Sequence, residues 1–229
     1  ERSAPPNPDP PVVAEFRAPS PPGAQPLPVG KTGDMDDPDR CVTAVHEAGH
    51  AVIGTLVGMT VNRLTVEPTD DYWGMVSFAQ PYGDEAMALT DRPEVMDALN
   101  ADGVSLADYL PSELHADIEI ARQEVARDAM TNMAGPRAEE RCTGFFDQDG
   151  ARSDLKKIRM FLNVFFCEYG DDEEAAWDAA VVHYDGPTIE EYLDDPLVWS
   201  WITAVAKTAY YTGDMTGDEI RALRPADLT

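Results

Sequence analysis

The chain has 229 residues, 43 acidic and 17 basic, giving a formal net charge of −26. So negative a surface repels nucleic acid and anionic lipid, which argues against both as the main partner. With 43% apolar and 26% charged residues it reads as a globular chain with a real core, and no apolar run approaches the roughly 20 residues that span a bilayer.

Residues 1–35 read as a proline-rich arm or linker, because ten of the 19 prolines fall before Lys31 and such a tract is extended. Gly30-Lys31-Thr32 looks like the end of a phosphate loop, but Gly23 lies too far upstream and no apolar strand precedes it. The body is expected over 36–229. Its first helix spans 36–58, where Val42, Val45, Gly49, Val52, Ile53 and Leu56 recur at helical spacing and Gly58 marks the stop. Strands follow at 61–66 and 72–78, with a turn at 68–71. Residues 81–114 read as an acidic insertion with one short helix at 93–99.

A long helix is expected over 112–134, striped by Leu114, Ile118, Ala121, Val125 and Ala129, before Gly135-Pro136 bends the chain. Further helices are expected at 153–169, stopped by Gly170, at 173–182 and at 197–211. Thr216-Gly-Asp-Glu219 is a capping-box pattern that opens a last helix to Leu223. The fold class is mainly α-helical (α+β), with a small sheet near the first helix. The cysteines, Cys41, Cys142 and Cys167, form no CxxC and point to a reducing, cytoplasmic setting. A buried, structural role is expected for Cys41, and the aromatics Trp177, Tyr192, Trp199, Trp201, Tyr210 and Tyr211 read as core or interface packing.

His46-Glu47-Ala48-Gly49-His50 carries the chemistry. Helical residues four apart differ by about 40° in direction and about 6 Å in height, so both imidazoles can face one metal ion. Glu47 can then take a proton from the metal's bound water. Ala48 and Gly49 are small enough to let another element come close. A catalytic zinc takes a third protein ligand, and Leu56 stands where the longer HExxHxxGxxH pattern has its third histidine.

These residues, with Ala44-Val45 before and Ala51-Val52-Ile53-Gly54 after, resemble the peptidase domain of the FtsH-type membrane AAA proteases. The likeness continues at 61–66 and 74–78, in Met133-Ala-Gly-Pro-Arg-Ala-Glu-Glu140, in Thr143-Gly144, in Gly150-Ala-Arg-Ser-Asp-Leu-Lys-Lys157 and at Thr216–Ile220. It covers about three-fifths of the chain in separated blocks. The resemblance implies a zincin-like helical domain with one Zn2+ per chain held by His46, His50 and Asp154. Glu139 is the competing donor; Glu139 and Glu140 otherwise read as supports for the histidines or for the fold. It also implies that Gly74, Met75, Val76, Ser77 and Phe78 form an edge strand that pairs with an extended peptide. From the residues alone, an ordinary core strand fits that stretch equally well.

The expected activity is zinc-dependent endopeptidase cleavage of flexible or unfolded polypeptides, with Glu47 as general base. The stretch before the motif holds no phosphate loop, so folded substrates would need a partner to feed them; a separate ATPase or a homo-oligomer is the expected partner. Pro136 departs from the family pattern. The alternative is a non-catalytic, zinc-containing interaction module with a peptidase fold, against which Glu47 stands, since a structural site needs no base.

Overall fold

The computed structural model describes residues 37–69, 72–79, 88–89, 91–93, 111–170 and 172–228. The proline-rich arm, Gly30-Lys31-Thr32, most of the acidic insertion and all but Pro93 of its short helix lie outside the described residues.

Helix α1 (Pro38–Leu56) begins where Asp37 accepts bonds from the amides of Asp39 and Arg40, with Pro38 at the first helical position. Its residues from Ala44 to Gly54 are buried without a break, so it is the core of the molecule and not a surface helix. Helix α2 (His115–Thr143) lies along α1, and α3 (Arg152–Phe165) and α4 (Glu173–Tyr184) pack on α2. The short α5 (Ile189–Asp194) leads into α6 (Pro196–Thr212), which covers a further side of α1. A last helix, α7 (Gly217–Ala222), is tied to α6 where the buried Trp201 indole donates to the Ile220 carbonyl at 2.9 Å.

Strands β1 (Val61–Thr65), β2 (Met75–Phe78) and β3 (Asp214–Thr216) form an antiparallel sheet in the order β2-β1-β3. Leu64 pairs with Val76 on one side and Met215 on the other. Leu64 and Met215 are buried, which turns one face of the sheet to the core. β2 is therefore an edge strand among the described residues. A bulge between Val61 and Arg63 shifts the register along the β1–β2 pair.

The mainly helical expectation holds, and so does the capping box, with Thr216 and Glu219 each bonding the other's amide. Several boundaries differ. Gly135-Pro136 does not end the helix: α2 continues through both to Thr143 and ends at Gly144, whose φ is +77°. Residues 133–138 are all buried, and their packing outweighs one missing N–H. The second strand starts at Met75 and not at 72. The helix at 153 stops at Phe165, and a separate 3-10 turn, Cys167–Tyr169, precedes Gly170. Neither α5 nor β3 was expected. Cys41 is half-buried, as are Cys142 and Cys167, so it is not the buried core residue expected. Tyr211 is exposed, unlike Trp201. No described helix is long and apolar enough to cross a membrane.

Candidate metal centre

Three helices meet around the HEAGH segment. The imidazoles of His46 and His50, one turn apart on α1, have centroids 4.8 Å apart and stand edge to face. Asp154, in the first turn of α3, points its Oδ2 at both: 3.2 Å from His46 Nε2 and 3.5 Å from His50 Nε2. Ligands about 2.0–2.1 Å from a tetrahedral metal lie about 3.3–3.4 Å apart, so these spacings suit a shared ion. All three side chains are buried, and their nearest donor atoms lie within 4.8 Å of one another. The group could hold a metal ion, and two imidazoles with one carboxylate suit a transition metal better than calcium or magnesium.

The other nitrogen of each ring is also engaged. His46 Nδ1 lies 2.8 Å from Glu139 Oε2 on α2, and His50 Nδ1 lies 2.7 Å from the Thr131 carbonyl on the same helix. A carbonyl only accepts, so Nδ1 of His50 carries a proton, and Nε2 is the ring atom turned toward Asp154. Glu139 can do the same for His46. It bonds a histidine and is not among the three clustered donors. Glu140 turns away to Arg137 Nη1 at 2.5 Å. Lys157, to which the sequence assigned no role, sits 3.4 Å from Asp154 Oδ1.

Electrostatics follow from this packing. Burial opposes ionisation of Asp154, yet His50 and His46 outweigh it and hold its carboxyl well below the usual range. Burial would lower His46, but Asp154 and Glu139, then the charge of Glu47, push it up to about 10. The two carboxylates thus favour a protonated His46 where no metal is bound. Metal must displace that proton, so affinity rises with pH. Burial raises Glu47 above an ordinary glutamate, with His50 and His46 pulling the other way. A carboxylate so placed is a stronger base than one in water.

A cleft of about 830 Å³ opens onto these groups. β2 lines it through Met75, Val76 and Phe78, together with Gly74 just before the strand and the exposed Trp73. Ser77 is absent from that lining and holds the β1 side, its hydroxyl 3.5 Å from the Arg63 carbonyl. Residues 152–154 and Lys157 also line it. His115 opens α2, and His183 meets Glu119 at 3.3 Å; neither joins the cluster.

The Thr131 carbonyl escaped the sequence reading because a main-chain acceptor leaves no residue-type signal. Gly135 left one: a Gly-Pro pair inside a helical stripe, which is legible as a packing constraint as much as a breaker. No protein-family model matches the chain, and no curated protein matches it.

Proposed function

We propose that the protein is a zinc-dependent endopeptidase with an FtsH-type peptidase domain. The observation that carries this reading is the convergence of both Nε2 atoms and Asp154 Oδ2 beside Glu47, with each second ring nitrogen held from α2. A structural site needs the donors but no base, whereas Glu47 adjoins them and lines the same cleft. His46, His50 and Asp154 would hold the ion, which supplies Lewis-acid polarisation of the scissile carbonyl and acidifies water.

Glu47 takes the proton from the attacking water on its carboxylate and delivers it to the leaving amine, a role favoured by its raised basicity. β2, an edge strand among the described residues and bordering the cleft, would offer main-chain groups to an extended peptide. Only an unfolded or flexible chain can present itself in that way. The deciding experiment compares the wild type with Glu47→Gln on unfolded casein. The variant is expected to keep zinc and lose cleavage; equal cleavage by both would refute the role of Glu47, and no cleavage by the zinc-loaded wild type would leave a binding module.

A further inference from the structure

We propose that Gly74 and Gly135 are positioning residues that divide the labour of the site: Gly135 seats the metal-binding ring of His50, and Gly74 seats the base Glu47 against the strand that receives substrate. The metal half of this rests on geometry alone, and the Glu47 half also rests on the peptidase reading.

Gly135 lies in the interior of α2 opposite His50. A methyl group placed on its Cα would fall on the imidazole, with Cε1 and Cδ2 at 2.6 and 2.7 Å as well as Nε2, the atom turned toward Asp154. His50 cannot swing away freely, because its Nδ1 is bonded to the Thr131 carbonyl one turn earlier on the same helix. α2 thus fixes both the direction of the ring and the space it occupies. That accounts for a glycine at a place where alanine is ordinarily the better helix former.

Gly74 stands just before β2. A methyl group there would lie 2.7 Å from both Cγ and Oε1 of Glu47, and 2.8 Å from Thr43 Cγ2. Main chain of the substrate strand therefore rests directly on the base. A peptide paired with β2 is brought into register with the Glu47 carboxylate by that contact, whereas the metal ligands do not touch Gly74 among the nearest atoms.

The two glycines should separate in four measurements on the full chain. In metal-free urea unfolding, Gly135→Ala destabilises the wild type but stabilises the His50→Ala background, where the helix preference of alanine reasserts itself. The cost of Gly74→Ala shrinks in the Glu47→Ala background, and only in part, because Thr43 remains. Zinc titration finds affinity reduced about ten- to a hundredfold by Gly135→Ala and altered less than about twofold by Gly74→Ala. Casein cleavage by zinc-loaded Gly74→Ala loses about a hundredfold in kcat with KM nearly unchanged. Additive unfolding cycles, or equal loss of zinc in both variants, would overturn the proposal. If the wild type fails to cleave casein, the peptidase reading falls, while the unfolding and zinc measurements still decide whether the glycines hold His50 and Glu47.

Discussion

Two buried aspartates on neighbouring helices show how the partners of a carboxylate set its charge. Asp154, in the first turn of α3, and Asp128, in the middle of α2, are 5% and 4% exposed. Burial opposes the charge on each. Asp154 faces two imidazoles and Lys157 and is held ionised. Asp128 has burial and Glu124 against it, with only Arg127 in relief, and is pushed up to about 8. Equal burial therefore yields opposite protonation. What distinguishes the His46-His50-Asp154 group is its cationic surroundings, whose place a metal ion would take. Glu47 stands between the two cases: buried and raised like Asp128, but restrained by the same histidines that lower Asp154.

The sharpest break in that comparison comes from the base. Glu47→Gln should cut casein cleavage about 10²–10⁴-fold while zinc content, measured by atomic absorption, stays at that of the wild type. Loss of zinc in this variant would place Glu47 among the ligands. Asp154→Ala should weaken zinc binding by more than the roughly ten- to hundredfold of an outer partner, because a donor itself is lost. Calorimetric titration measures this, and an affinity equal to the wild type would remove Asp154 from the site.

A smaller effect is expected one shell outward. Glu139→Gln keeps the shape but not the charge beside His46 Nδ1, and should lower zinc affinity about tenfold to a hundredfold. A loss as large as that of Asp154→Ala would exchange their roles. The last test concerns stability. A carboxylate whose folded pKa is raised binds its proton more tightly when folded, so stability falls as pH climbs from near 3.8 to about 8. Asp128→Asn should remove that fall, a gain on the order of a few kcal/mol at alkaline pH. Urea midpoints across the range measure it; identical slopes for wild type and variant would mean Asp128 is ionised throughout.

Much of this was legible in the chain itself, for reasons that differ by element. His46, Glu47 and His50 were readable because a helix converts spacing into direction, and α1 carries an apolar pattern that fixes its period. Asp154 was reached only through resemblance, since it lies 104 positions after His50 and no local rule links them. Glu139 was placed correctly near the histidines, but which ring it serves needed the packing of α2 on α1. β3 has three residues and no visible alternation; its strand character comes entirely from pairing with β1. Pro136 misled because a local rule was outweighed by burial along α2. In each miss, a tertiary contact overrode or completed a local preference.

The central claim is that one zinc ion sits between His46 Nε2, His50 Nε2 and an oxygen of Asp154. Crystals of the full chain grown with zinc, measured on both sides of the zinc absorption edge, test it directly. The account predicts one anomalous peak per chain, bonded to those three atoms, with Glu47 beside it and Glu139 bonded only to His46. A peak elsewhere, or none at the cluster in zinc-saturated crystals, would contradict it.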